Sequence, residues 1–132
     1  MATLDQERAK LAFAHVGVVK GWNDEARQKK YASIVHGMPA LLRSAGLSQA
    51  LHFVLSRKHE DQALFLVHLA EQLARVDARI TSRDQLLAEV RGADLTRYLR
   101  LTQEALACVD WYRRFVQGVL GIEQGDAIAR EE

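Results

Sequence analysis

The sequence has little of several things that define common protein classes. Its 132 residues include one cysteine and one proline, and only 7% are aromatic. The single Cys108 cannot form a disulfide within the chain, which favours an intracellular, cytoplasmic setting. No apolar run approaches the length of about 18 residues that a membrane-spanning helix needs. The polar opening TLDQERAK also leads us to expect no signal peptide.

Acidic residues are missing from one long stretch. No Asp or Glu occurs from Ala26 to His59. Because the chain carries a formal net charge of +1, the six positive charges of this stretch leave a net charge of −5 for the other residues. A nearly neutral protein thus concentrates its positive charge in one segment. The six basic residues are Arg27, Lys29, Lys30, Arg43, Arg57 and Lys58.

The composition and the apolar pattern predict an all-α protein. The hydrophobic fraction of 48% and the charged fraction of 27% are ordinary for a globular chain. Apolar residues recur at helical spacing along most of the sequence, and a chain of this length can bury one core without metal or disulfide support. We predict a single-domain irregular bundle of five to six helices over residues 1–121. The acidic segment 122–132 is predicted to fray.

Capping residues predict the helix boundaries. Thr3 with Gln6, and Ser82 with Gln85, fit the capping-box pattern at helix starts. Pro39 lies within the second helix, but the apolar phase continues on both sides, which predicts one kinked helix. The other predicted features are a start at Asp24 or Glu25, a C-terminal cap at Gly46, a Ser48 cap for the third helix, a start at Glu60, an Asp94 cap for the last and longest helix, inward-facing Phe13 and Val67, and exposed Arg75 and Arg79.

The residues that carry chemistry do not form a recognisable catalytic motif. None of the five histidines (His15, His36, His52, His59 and His68) has another four positions away on the same helix. His59-Glu60 begins like a zinc-protease motif, but Ala63 stands where the second histidine is needed. Cys108 has no evident activating neighbour and is predicted to be a buried packing residue. Trp22 is likewise predicted to pack at a helix joint. We predict no enzyme, no cofactor and no metal; a small enzyme or metal-dependent nuclease is the weaker alternative.

Two blocks of sequence carry a resemblance to a known family. They are KYAS…MPALLRSAGLSQALHFVLS within residues 30–56 and YLRLTQEAL…DWYRRF within residues 98–115. In content, order and separation they resemble the Cmr small subunit family, the small all-helical proteins of type III-B CRISPR effector complexes that target RNA. A proline followed by a leucine pair, then GL and QAL, is more specific than helical periodicity requires.

The resemblance implies a set of partners and a role in antiviral defence. In that family the small subunits stack along a filament of backbone subunits that hold the guide RNA, and they line the channel where target RNA pairs with the guide. Cleavage and cyclic-oligoadenylate synthesis belong to the backbone and large subunits, so the implied role is non-catalytic. The implied partners are these subunits, guide and target RNA, and further copies of the chain, with no membrane. The implied RNA-binding surface comprises Lys29, Lys30, Arg43, Arg57, Lys58, Arg113 and Arg114.

Charge alone leaves two interpretations open. Basic residues on one face would bind phosphates, with an affinity that rises with the number of phosphates neutralised. Arg113 and Arg114 are adjacent on a helix and point about 100° apart, so they cannot both face one ligand squarely. The nearly neutral net charge of the chain also predicts weak affinity for free RNA. The other interpretation of the charge is a solvated face that only balances the negative charge elsewhere. The alternative function is a helical protein-interaction adaptor without direct RNA contact, whose surface faces protein.

Overall fold

A computed structural model describes residues 2–125 of the chain. Within this range the prediction of an all-α bundle is confirmed, with six helices and no strand. Residues 126–132 of the predicted acidic tail lie outside the described residues. Over the described part, no helix combines the length and the apolar character needed to cross a membrane. The helices are α1 (Leu4–Lys20), α2 (Glu25–Ala45), α3 (Leu47–Ser56), α4 (Glu60–Ala74), α5 (Arg83–Gly92) and α6 (Leu95–Gly118).

The predicted N-terminal caps are formed by side chains that accept backbone hydrogen bonds. The capping box of α1 is complete: the Gln6 N–H donates to Thr3 Oγ1 over 3.1 Å, and the Thr3 N–H donates to Gln6 Oε1 over 2.8 Å. Asp24, Ser82 and Asp94 each accept from the N–H three residues further on. These bonds satisfy donors that a helix start leaves open, which is why the sequence located the starts.

The connection between α2 and α3 differs from the prediction. Helix α2 is continuous through the buried Pro39, as predicted, and Gly46 caps its end with a positive φ of 85°. The same glycine is also the N-terminal cap of α3, so the prediction that Ser48 caps this helix was wrong. The backbone N–H of Ser48 instead donates to the Tyr98 hydroxyl over 3.0 Å. A side chain from a distant helix thus replaces the local cap.

Helices α2 and α6 run antiparallel along one side of the bundle. Tyr98 in the first turn of α6 contacts the residues that follow α2, and Ile122 beyond the end of α6 lies against the middle of α2. His36 Nε2 is 3.0 Å from the Ile122 carbonyl oxygen, and the Ile122 side chain is buried. The packed region therefore extends one residue past the predicted domain boundary at 121.

Helix α4 is the central element of the core. The ring of Phe65 meets the rings of Tyr31 from α2 and Tyr112 from α6 edge to face, with centroids 6.1 and 5.3 Å apart. Leu66 and Leu69 are fully buried on the same helix. Burying each such side chain contributes about 1.5–3 kcal/mol to folding. The core thus holds α1, α2, α3, α5 and α6 around α4.

Three side chains take the opposite environment from the one predicted. Phe13 is 56% exposed and Val67 is 37% exposed, although both were predicted to face inward. Arg75, predicted to be exposed, is mostly buried and its guanidinium lies 3.8 Å from the carboxylate of Glu104. His15 takes one of the buried positions of α1, because hydrogen bonds to other helices offset the desolvation of its ring. Ranking residues by apolar character alone cannot detect such a position.

Candidate nucleic-acid interface

The backbone of Lys30 and the side chain of Arg57, two of the predicted basic positions, meet at the start of α4. Gln62, which is fully buried, joins them: its Nε2 donates to the Lys30 carbonyl oxygen over 3.2 Å. Its Oε1 accepts from Arg57 Nε over 2.8 Å. Lys58 follows Arg57 in the turn between α3 and α4, with a positive φ of 56°. We call Lys30, Arg57 and Lys58 the α4 basic pole.

Acidic residues lie beside this pole in space although they are absent from its sequence segment. The Arg27 guanidinium contacts the Asp61 carboxylate, with Nη2 2.9 Å and Nε 3.1 Å from Oδ1. The hydrogen bond to Asp61 raises the pKa of Arg27, so the guanidinium stays charged. Arg27, which counts toward the positive stretch in the sequence, is therefore offset by an acid from α4.

Lys29 points away from the α4 basic pole. Its Nζ lies 2.8 Å from Glu25 one turn earlier on the same helix. It lines a cavity of about 500 Å³ together with Lys20, Gln28 and residues 119–122 after α6. Adjacent side chains on a helix project about 100° apart, which explains why Lys29 and Lys30 serve different surfaces.

The remaining predicted residues are spread along α2 and α6. Arg43 is exposed near the end of α2, about 20 Å from Lys30 at the helical rise of about 1.5 Å per residue. Arg114 lines a cavity of about 390 Å³ with Asp5, Ala107, Asp110 and Trp111. Arg113 is half-buried, and its Nε has no hydrogen-bond partner among the described residues. The seven residues therefore form one cluster of three and four separate positions.

Two of the three histidines of the basic stretch have contacts with other helices or segments. His36 is buried against Ile122, so it contributes nothing to the surface. His52 Nε2 lies 3.2 Å from Arg91 Nη1 of α5. His59 occupies the N-terminal cap position of α4 without a side-chain capping bond. Only His59 adjoins the α4 basic pole in sequence.

Two residues near the pole were missed by the sequence reading. Phe53 is 44% exposed on α3, and the Arg57 guanidinium carbon lies 5.7 Å from the centre of its ring. Gly37 on α2 faces Phe53 across an open groove of about 310 Å³. In the sequence, Leu51, Val54 and Leu55 lie at helical spacing and predict the buried face of α3, and Phe53 falls outside that face. This position outside the apolar face was the feature of the sequence that could have indicated an exposed Phe53.

The other titratable side chains that could carry chemistry are bound into the core. Burial raises the pKa of the Cys108 thiol to about 12, and its Sγ donates to Glu104 over 3.4 Å. Arg8 binds that same carboxylate from the other side through two bonds of 2.7 Å and lowers its pKa. Across residues 2–125 no three metal-ligating side chains come together. The Trp22 ring packs on Tyr31 as predicted, beneath the guanidinium of Arg27 at 4.1 Å.

Comparison with known proteins agrees with the two sequence blocks. Residues 4–119 match the family model described as CRISPR-associated protein (Cas_Cmr5). The chain is 41% identical over 91 residues to a protein named CRISPR system Cmr subunit Cmr5 from Thermus thermophilus, covering 69% of this chain and 75% of that one.

A solved structure supports the same assignment. The fold is similar to the X-ray crystal structure of a CRISPR-associated Cmr5 family protein from Thermus thermophilus, with a TM-score of 0.69 and 32% identity. The match covers 91% of this chain and 99% of that one. The resemblance found in the sequence is thereby confirmed, and the chain belongs to the CRISPR-associated Cmr5 family.

Proposed function

We propose that this chain is a non-catalytic structural subunit of a type III-B CRISPR (Cmr) ribonucleoprotein effector complex. It stacks along the backbone subunits, contacts the large subunit and further copies of itself, and helps to hold the guide–target RNA duplex through its basic surface. The observation that carries the RNA contact is that Gln62 binds both the Lys30 backbone carbonyl and the Arg57 guanidinium, which brings these two basic positions to the start of α4. Family membership supports the choice of complex.

The distribution of the basic residues favours an extended polyanion over a compact anion. Lys30 of the α4 basic pole and Arg43 lie about 20 Å apart along α2, a separation that one small phosphate ligand cannot span. Successive phosphates of a nucleic acid are spaced along such a length. Contacts of this kind position the protein without reading the sequence, which base pairing with the guide supplies.

The internal contacts of reactive side chains support a role without catalysis. Cys108 is fully buried and bonded to Glu104, which keeps its thiol protonated at neutral pH. The ring nitrogens of His15 contact Tyr112 and Glu71 over 2.7 Å each. These contacts give Cys108 and His15 a structural role within the bundle.

A pull-down from the native cells tests the assignment to a complex. With the tagged chain as bait, we expect recovery of the Cmr effector subunits together with short guide RNAs. Recovery of unrelated proteins without RNA would contradict the proposal and favour the helical adaptor, whose surface contacts only protein.

A charge-reversal variant tests the RNA contact within the complex. The variant carries Lys30→Glu, Arg43→Glu and Arg57→Glu, all at positions outside the hydrophobic core. We expect it to keep its helical circular dichroism spectrum, to enter the complex and to weaken retention of target RNA. Incorporation with unchanged RNA retention would favour the adaptor.

A further inference from the structure

The groove between α2 and α3 has the character of a small ligand site. Its floor is apolar, formed by the buried side chains of Ile34 and Met38. One wall carries the half-exposed ring of Phe53, with Arg57 beside it. The volume of about 310 Å³ is at the lower end of the range of about 300 to 1,000 Å³ for small-ligand pockets.

We propose that this groove binds one unpaired nucleobase of an RNA strand whose phosphates lie on the α4 basic pole. The base stacks on the ring of Phe53, and the adjoining phosphates face Lys30, Arg57 and Lys58. This inference rests on the proposed function and extends it from backbone contact to capture of a base.

The side chains of the groove suit a flat aromatic ligand. Aromatic rings and arginine guanidinium planes are the groups on which unstacked RNA bases are held. Both groups are present in the groove. Nearly half of the Phe53 surface is exposed, and the Arg57 guanidinium lies 5.7 Å from the centre of the Phe53 ring. Opposite them, Gly37 leaves the α2 backbone bare, since a Cβ added there would meet no atom within 4 Å.

The charge around the groove favours a nucleotide over a protein helix. Both of its walls belong to the stretch Ala26–His59, which contains no acidic residue. Arg57 lines the groove, and the exposed Lys58 follows it in the chain. A ligand that combines a flat apolar ring with negative phosphates matches this arrangement. The limited volume also suits one base better than the several side chains of a docked helix.

Filling the groove tests the proposal without removing any contact. Gly37→Leu places a side chain into the open space, in the middle of a helix where leucine is more favourable than glycine. In a complex that retains target RNA, we expect retention to fall roughly fivefold or more, which is the lower range for losing one stacked base. Because no charge changes, the slope of log affinity against log salt stays that of the unaltered complex.

The matched control is Gly17→Leu in α1. Gly17 is also exposed within a helix, and a Cβ there likewise meets no atom within 4 Å. We expect this variant to retain RNA like the unaltered complex. Equal retention by the Gly37 and Gly17 variants would overturn the proposal.

A photoreactive amino acid identifies the occupant directly. Replacing Phe53 by p-benzoylphenylalanine keeps an aromatic ring at the position and attaches it to whatever lies in the groove on irradiation. We expect an adduct with the target or guide RNA that ribonuclease removes. A ribonuclease-resistant adduct with another subunit would overturn the proposal in favour of protein docking. Absence of any adduct in a complex that retains RNA would also overturn it.

The two proposals fail in different ways. If the charge-reversed complex retains RNA as well as the unaltered one, the proposed RNA contact itself is wrong. If charge reversal weakens retention while Gly37→Leu does not, and the photoreactive residue at position 53 gives no RNA adduct, only the base site is wrong.

Discussion

The imidazole rings of His15 and His68 stack in the centre of the bundle, with centroids 3.9 Å apart and planes within 6° of parallel. His15 Nδ1 lies 2.7 Å from the Tyr112 hydroxyl, and His68 Nδ1 lies 2.7 Å from the Tyr31 hydroxyl. The pair therefore connects α1, α2, α4 and α6 through polar contacts. Burial, and then the neighbouring His15, lower the pKa of His68 to about 3, so its ring is neutral at physiological pH.

The stability of the fold should fall as the solution becomes acidic. In the unfolded chain His68 takes up a proton near its ordinary pKa of 6.5, whereas in the folded chain it resists protonation down to a pKa of about 3. Between these values the unfolded state binds more protons, so the free energy of unfolding decreases as pH falls. The decrease is up to about 1.4 kcal/mol per pH unit. Urea unfolding between pH 7 and pH 4.5 measures it.

The variant His68→Asn tests whether this residue causes the pH dependence. Asparagine keeps an oxygen near the position of Nδ1 that can accept from Tyr31 but has no group that titrates in this range. We expect this variant to be less stable at pH 7. We also expect its unfolding free energy to depend less steeply on pH, by an amount that corresponds to about one proton. An unaltered slope between pH 6.5 and pH 4.5 would assign the effect to other groups.

Removing Arg8 should destabilise the fold strongly. The side chain of Glu104 is only 7% exposed and accepts two hydrogen bonds from Arg8. Arg8→Met leaves that carboxylate with Arg75 at 3.8 Å as its nearest described cation, and we expect a loss of about 3 kcal/mol in unfolding free energy. Arg100→Met, on the exposed surface, should change it by less than about 0.5 kcal/mol. Equal losses in the two variants would refute the role of the ion pair.

Two glycine-to-alanine variants should have opposite effects on stability. Gly46 has φ 85° and ψ 165°, a region that only glycine adopts readily, and an added Cβ would lie 3.2 Å from the Tyr98 hydroxyl. We expect Gly46→Ala to cost about 1–3 kcal/mol. Gly37 is helical with open space around it, so Gly37→Ala should gain roughly 0.5–1 kcal/mol. Thermal unfolding of both variants checks the sign of each change.

The thiol of Cys108 should be inert in the folded protein. It is fully buried, and its pKa is raised to about 12, so almost no reactive thiolate exists at pH 8. We expect a thiol-specific reagent to label it only after denaturant is added. Rapid labelling of the folded chain at pH 8 would mean that this part of the core opens readily.

The sequence predicted those features that depend on local hydrogen bonds and on periodicity. Thr3 and Asp94 marked helix starts because capping is a short-range interaction, and the long α6 was visible from its repeated apolar positions. The burial of His15 and the exposure of Phe13 were not visible. The environment of His15 depends on Glu71 and Tyr112, about 50 to 100 residues away, and Phe13 packs its ring against Phe115 of α6.

The candidate interface was predictable only in part. The acid-free stretch identified Lys30 and Arg57 as members of one positive segment. It could not show that Gln62 brings these two positions together or that Asp61 offsets Arg27, because both partners come from α4, outside the stretch. The groove at Phe53 also depends on how α2 and α3 pack.

The measurement that tests the central claim most directly is a salt titration of target-RNA binding by the assembled complex. It compares the unaltered subunit with the Lys30→Glu, Arg43→Glu, Arg57→Glu triple variant. A control triple, Lys10→Glu, Arg83→Glu and Arg100→Glu, makes the same charge change at positions outside the proposed RNA-binding surface. We predict that the first triple weakens binding and reduces the slope of log affinity against log salt by roughly one for each lost phosphate contact, whereas the control does neither. Equal affinities and slopes for the two triples would contradict an RNA-binding role for this surface.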